Sequence, residues 1–269
     1  MNKSELFYEL HERYGAVTRA RGAFLYTKKG VRLTDLYQEA GRAILGWEGG
    51  NSFTIFKNIL SRGQTGSFIC EEFNGYRLQK AVSELFASDR TIFCFNSLKD
   101  AFNAGAILCP EGTNVYRPWN IMNEKIRISE TPGLILTPPL PWAETIFIYA
   151  ADTALLQKNP EALLLVKGAV KLPFALEAAI TRSIYNLIKA LQERSEKDWF
   201  IYDTILTKYW ERKGPYLYPK IPQSKYQYFI LHCLECGLVI SPDYNQPSIV
   251  PFGADLGVFT KLKNSPFSF

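Results

Sequence analysis

The sequence predicts an α/β fold, and three observations carry that expectation. Short all-apolar runs, Thr91-Ile-Phe-Cys-Phe95, Leu134-Ile-Leu136 and Ile146-Phe-Ile-Tyr149, have the length and apolarity of buried strands. Longer segments with apolar residues at helical spacing alternate with them. A turn-rich stretch, Lys213-Gly-Pro215 followed by Pro219 to Pro222, separates a last helix-and-strand segment from the rest and suggests a boundary near 214–222. The chain has 269 residues, 47% hydrophobic and 21% charged, enough apolar material for a core.

Taken in order, residues 3–14 form an amphipathic helix with Leu6, Leu10 and Tyr14 on one face. Residues 21–37 read as two strands around the turn Lys28-Lys29-Gly30. Asn51-Ser52 caps a segment into Phe53–Leu60. Leu78, Val82, Leu85 and Phe86 mark a helix over 76–88, and Thr91–Phe95 suits a strand of a parallel sheet. Asn96-Ser97 then starts a helix over 98–108. Ala162–Val166 is a further strand candidate. Pro173 opens a helix whose stripe is Leu176, Ile180, Ile184, Leu187, Ile188 and Leu191. A helix over 197–212, the turn-rich stretch, a helix over 223–236 closed by Gly237, strands at 238–240 and near 248–251, and a final helix near 254–263 complete the reading.

Charge and cysteine usage bound the function. Net charge is +5 and the pI about 8.8, with both signs interleaved and no basic tract, so no nucleic-acid partner is expected. No basic-then-apolar leader opens the chain and no apolar run approaches the ~20 residues of a membrane span, so no membrane partner and a cytoplasmic location are expected. The five cysteines, 70, 94, 109, 233 and 236, sit mostly in apolar segments and read as reduced, buried thiols. Cys233-Leu-Glu-Cys236 lacks two further ligands for a structural metal site, since the two histidines are His11 and His232. No nucleotide-binding glycine motif and no Ser/His/Asp set is present.

The block Arg19-Ala-Arg-Gly-Ala-Phe-Leu-Tyr-Thr-Lys-Lys-Gly-Val-Arg-Leu-Thr-Asp-Leu36 resembles the N-terminal hairpin of the class III (ornithine/GABA-type) aminotransferases, which use pyridoxal phosphate (PLP). Phe93-Cys-Phe-Asn-Ser97-Leu-Lys-Asp-Ala101, Gly133-Leu-Ile-Leu-Thr-Pro-Pro139, Pro160-Glu-Ala-Leu-Leu-Leu-Val-Lys167-Gly168 and Leu234-Glu-Cys-Gly237-Leu-Val-Ile-Ser-Pro242 resemble later family blocks in the family's order. The resemblance implies a shortened, degenerate member. Its large domain would be a three-layer PLP-transferase type with a reduced central sheet, and its small α/β domain would be built from both chain ends. The expected divisions are 1–50 (N-terminal part of the small domain), 51–213 (large domain) and 214–269 (C-terminal part of the small domain).

The same resemblance assigns candidate site residues. Lys167 would be the Schiff-base lysine, which must end a buried strand so that desolvation makes its amine nucleophilic; Lys171 competes for the role. Asp152 would pair with the cofactor's ring nitrogen, or it is simply a helix N-cap. Ser97 and Lys99, at a helix start, would hold the phosphate. Several positions depart from the pattern. Leu98 stands where a close-approach glycine belongs, Gly46-Trp47 replaces a Gly-His pair, no arginine lies near Ser248 to take a substrate carboxylate, and the loop supplying a cross-subunit phosphate contact is missing.

Three functions stay open at this stage. The first is a degenerate aminotransferase-like pseudoenzyme without PLP, acting through protein interaction or regulation, as a homodimer and with a full-length aminotransferase as a further partner. The second is a minimal active PLP-dependent aminotransferase using Lys167, Asp152, Ser97 and Lys99. The third is a binder of a small phosphorylated metabolite at the Ser97 helix start, with Trp119, Trp142, Tyr149 and Trp199 as available aromatics.

Overall fold

The computed structural model describes residues 1–66, 75–120 and 128–269; Cys70 lies outside them. Along the first half of the chain run α1 (Lys3–Tyr14), β1 (Val17–Arg21), β2 (Phe24–Thr27), β3 (Arg32–Asp35), α2 (Ser52–Ser61), α3 (Tyr76–Phe86), β4 (Arg90–Phe95), α4 (Leu98–Leu108), β5 (Thr113–Tyr116) and β6 (Gly133–Leu136). There follow β7 (Phe147–Asp152), α5 (Thr153–Lys158), α6 (Ala162–Leu165), α7 (Phe174–Glu193), α8 (Lys197–Phe200) and α9 (Asp203–Leu206). The last elements are β8 (Trp210–Lys213), β9 (Tyr216–Pro219), α10 (Gln223–Glu235), β10 (Leu238–Val239), β11 (Ser248–Ile249) and α11 (Thr260–Asn264). Two compact units result, one from residues 1–48 with 192–269, the other from 49–191.

The first unit joins both chain ends. Its four-stranded sheet has the order β1-β2-β3-β10, and β10 adds parallel to β3 through Leu238 opposite Thr34 and Val239 opposite Asp35. Helix α1 starts with a capping box, in which Asn2 accepts from the Glu5 N–H and Glu5 accepts from the Asn2 N–H. The Lys28-Lys29-Gly30 turn joins β2 to β3 as expected; an additional strand, β1, pairs with β2 across Gly22, whose φ is +56°. A second sheet, β11-β9-β8, is antiparallel.

Two expectations for this unit are corrected. The helix over 197–212 breaks into α8, α9 and the strand β8, which places Trp210 in the core with no exposed surface. The turn-rich stretch is the tip of the β8–β9 hairpin: Lys213 faces Tyr216 across Gly214-Pro215, and Gly214 takes φ +57°, a turn geometry open to glycine. The Gly-Pro pair therefore closes a hairpin within one unit, and residues 192–213 pack with the chain ends rather than with 51–191.

The second unit is built on the sheet β4-β7-β6-β5. It is mixed rather than all parallel: β7 is antiparallel to both β4 and β6, and only β5 and β6 run parallel. Strand β5 falls where the sequence offered no counterpart. One face, with Phe95, Ile135, Tyr149 and Ala151, packs on Ala101, Ala104 and Leu108 of α4 and on Leu156 and Ala162. The other face meets α3, where Phe86 contacts Tyr116 at 5.0 Å in an edge-to-face pair. Gly105 and Gly133 permit the close packing of the first face; a Cβ on Gly133 would fall 2.3 Å from the Tyr149 hydroxyl, and one on Gly105 2.4 Å from Thr113 Oγ1.

The strand expected over 162–166 is also corrected. Residues 162–165 form the single helical turn α6, held by Ala162 N–H to Asn159 O (3.2 Å), Leu163 N–H to Pro160 O (3.2 Å) and Leu164 N–H to Glu161 O (3.1 Å). Alanine and unbranched-at-Cβ leucine favour helix over strand, and a short apolar run does not by itself distinguish the two. Leu164 is 84% and Leu165 61% exposed, so the run is not a buried strand.

Candidate functional site

The structure groups three of the four candidate site residues at one end of the second unit's sheet. Strand β4 runs into Asn96-Ser97, and Ser97 caps α4 by accepting from the Asp100 N–H at 3.4 Å. The chain after α6 passes the same place: the Val170 N–H donates to the Cys94 carbonyl at 2.8 Å, and a Cβ on Gly168 would sit 3.5 Å from Asp100 Cγ. Lys167 thus flanks the α4 start that carries Ser97 and Lys99. Lys99 and Lys167 are both exposed, as is Lys171. The negative charge that a helix N-terminus favours is supplied by Asp100 in the first turn.

Asp152 lies at the other end. Because β4 and β7 are antiparallel, Asp152 pairs with Arg90 at the start of β4, while Phe147 pairs with Phe95 at its end. Five strand steps, about 17 Å, separate those two ends. The Asp152 carboxylate accepts from the Ala154 N–H (2.9 Å) and the Leu155 N–H (3.1 Å), which makes it the cap of α5.

Arg90, which the sequence reading did not single out, is fully buried beside it. Its guanidinium donates to Ser88 Oγ (2.8 Å), Thr131 O (2.6 Å), Pro132 O (3.3 Å), Ile128 O (3.0 Å) and Ser129 O (3.3 Å). Burial lowers its pKa and the charge of Asp152 opposes that shift.

The strand ends bear on the amine that PLP chemistry requires. Strand β6 is buried at all four positions and runs into Thr137-Pro138. The residues that follow β4, β5 and β7 are Asn96, Arg117 and Thr153. No strand of this sheet ends on a lysine, and every described lysine between residues 49 and 191 is exposed. Of the aromatics, Tyr149 is in the core of this unit and Trp199 in the core of the other.

The first unit holds a cavity of about 280 Å³ that sequence reasoning missed, lined chiefly by apolar side chains of α1, β2, β10 and Trp47. Asp35, 1% exposed, lies at its wall. The carboxylate accepts from the Tyr37 and Gln38 N–H groups (both 2.9 Å) and from the Trp47 indole N–H (2.8 Å). Desolvation pushes its pKa up to about 6, against the pull of those three hydrogen bonds. Beyond it, Gln38, Glu39 and Ala40 have φ between +48° and +62° and Gly41 follows at +88°, a left-handed turn. The single cue in the sequence is Trp47 itself, standing where the family pattern has histidine; nothing at Asp35 distinguishes it from a strand-end polar residue.

On helix α10, His232 Nε2 hydrogen-bonds Ser265 O at 2.8 Å and lies 3.8 Å from Cys236 Sγ. Cys94, Cys109, Cys233 and Cys236 are free and buried. Among the described residues no helix is long and apolar enough to cross a membrane.

No protein-family profile matches the chain. It is 26% identical over 291 residues to an uncharacterized protein of Treponema pallidum (strain Nichols), covering 90% of this chain and 91% of that one. An uncharacterized protein of Borreliella burgdorferi is 26% identical over 256 residues, covering 91% and 89%. Among solved structures, the ornithine aminotransferase of Plasmodium yoelii matches with a TM-score of 0.62 at 13% identity, covering 98% of this chain and 97% of that one. The acetylornithine aminotransferase of Elizabethkingia anophelis gives 0.62 at 13%, with 98% of each chain covered. A PMP-bound aminotransferase of Vibrio fluvialis gives 0.64 at 10%, covering 96% and 94%. The chain has the fold of the PLP-dependent aminotransferases, a mixed α/β architecture.

Proposed function

We propose that this chain is an aminotransferase-fold protein that does no PLP chemistry and acts through protein interaction or regulation. The observation that carries the reading is the placement of its amines: no strand of the second unit's sheet ends on a lysine, and its described lysines are all exposed. Schiff-base chemistry needs an amine made nucleophilic by burial or by a neighbouring cation.

Two further observations support it. A ring-nitrogen carboxylate and a phosphate-binding helix start must meet one small molecule, whereas Asp152 and Ser97 stand at opposite ends of β4, and Asp152 already caps α5 beside Arg90. Leu98 adds a side chain at the start of α4 where a phosphate would need close approach of the backbone, which weighs equally against a phosphorylated metabolite at Ser97. The residues present do not fit PLP, and losses among parts that act as a unit compound rather than add. The proposed partners are a second copy of this chain and a full-length aminotransferase.

The test is turnover. The purified protein supplied with PLP and an amino donor should show no donor-dependent change in the visible spectrum, and Lys167→Ala should behave identically. A donor-dependent spectral change lost in Lys167→Ala would replace this reading with an active aminotransferase.

A further inference from the structure

We propose that the cavity walled by Phe7, Leu10, Val17, Leu25, Trp47 and Val239 binds a small alkyl- or arylamine whose ammonium group pairs with Asp35. The inference is independent of whether PLP binds, because every residue concerned belongs to the first unit.

Charge accounting singles out Asp35. Its neighbour Glu39 has its cations, Lys3 Nζ at 3.3 Å and Arg42 Nη2 at 2.8 Å. Asp35 has three donors, all neutral, and no described cation pairs with it. An ionised carboxylate offers about four acceptor positions. Oδ1 takes the Tyr37 and Gln38 N–H groups and Oδ2 takes the Trp47 N–H, so one position on Oδ2 remains. Tyr37 and Trp47, which bracket the carboxylate, both line the cavity. A buried, unpaired carboxylate is costly unless a cation completes it. Burial displaces its pKa upward, to about 6, and the charge of Glu39 adds a smaller push in the same direction.

The walls set the rest of the ligand. They are almost wholly apolar, which selects a hydrocarbon body over a sugar or a phosphate. The volume, about 280 Å³, suits a ligand of a few heavy atoms rather than a drug-sized one. Phe7 (44% exposed) and Val17 (40% exposed) are the half-open positions through which it would enter.

Isothermal titration of the full chain at pH 7.5 with n-hexylamine, n-hexanol and hexanoate tests the proposal. The amine should bind on the order of tenfold more tightly than the alcohol, the gain of a charge-assisted over a neutral hydrogen bond, and hexanoate should not bind. Asp35→Asn should remove the preference for the amine. Val17→Trp, at an exposed rim position where folding is least at risk, should weaken amine and alcohol together and decides the matter if Asp35→Asn does not fold. Equal binding of amine and alcohol, amine binding unchanged in Val17→Trp, or no binding of any of the three would overturn it.

Discussion

Replacing Arg90 with Met should destabilise the second unit by about 3–5 kcal/mol, the range for removing one member of a buried charged network. The magnitude follows from what the guanidinium holds. All its donors are engaged, four of the five hydrogen bonds running to the carbonyls of Ile128, Ser129, Thr131 and Pro132. Methionine fills a similar volume and removes the desolvation of the cation, which offsets part of the loss. It leaves those carbonyls short of donors, at about 1–3 kcal/mol for each that water cannot reach. It also leaves Asp152 without the positive charge across the β4–β7 pair. Urea unfolding gives the free energy, and amide hydrogen exchange locates it: protection should fall first over 128–136. Arg90→Lys should recover little, because an ammonium cannot span two carbonyl pairs. A loss under about 1 kcal/mol, or exchange unchanged over that segment, would refute the network argument.

Gly133→Ala should destabilise by about 1–3 kcal/mol through overpacking, since its Cβ would meet the Tyr149 hydroxyl at 2.3 Å. Tyr149→Phe should restore only part of that, since Thr113 Oγ1 at 2.9 Å and the ring carbon Cζ at 3.0 Å remain, and alone should be nearly neutral, because the buried hydroxyl has no hydrogen-bond partner of good geometry; non-additive unfolding energies in the double variant check both statements. Asp35 is predicted to make stability pH-dependent. Its folded pKa of about 6 lies above the ordinary carboxyl value, so the folded protein holds this proton more tightly. The stabilisation is therefore full below pH ~4 and lost as pH rises through 6, by about 3 kcal/mol in all; the difference between wild type and Asp35→Asn should change by that amount, and parallel pH profiles would contradict it. Asp152→Ala should cost at least about 1 kcal/mol, the loss of a helix cap, with the loss of the charge that supports the buried Arg90 added to it, and leave any PLP spectrum unchanged; bleaching of a bound-cofactor band would return Asp152 to a cofactor role.

Local patterns were legible in the sequence where one face of an element is buried and its ends carry caps. Helix α1, with its Asn2–Glu5 box, and α4, opened by Ser97, are of this kind. So is α7, with its unbroken apolar stripe. The meeting of both chain ends in one sheet came from the family resemblance rather than from periodicity, and β10 beside β3 bears it out. Ala162–Val166 misled because an apolar run has no period, and exposure, not composition, separated a surface turn from a strand. Lys213-Gly-Pro215 misled because the same residues that mark a linker also make a hairpin turn.

The site was less legible than the fold. The family resemblance put Asp152, Ser97 and Lys167 into one site, and only the antiparallel register of β4 and β7 separates Asp152 from Ser97. Asp35 escaped notice because its burial and its bond to Trp47 depend on a turn of left-handed residues, Gln38 to Gly41, that no residue pattern announces.

The measurement that tests the central claim most directly is borohydride reduction of the PLP-treated protein followed by peptide mapping of the trapped adducts. Because every described lysine of the second unit is exposed, the account predicts low, scattered labelling that rises with PLP concentration and favours no position. Stoichiometric labelling of a single lysine at low PLP, Lys167 or Lys171 above all, would contradict it.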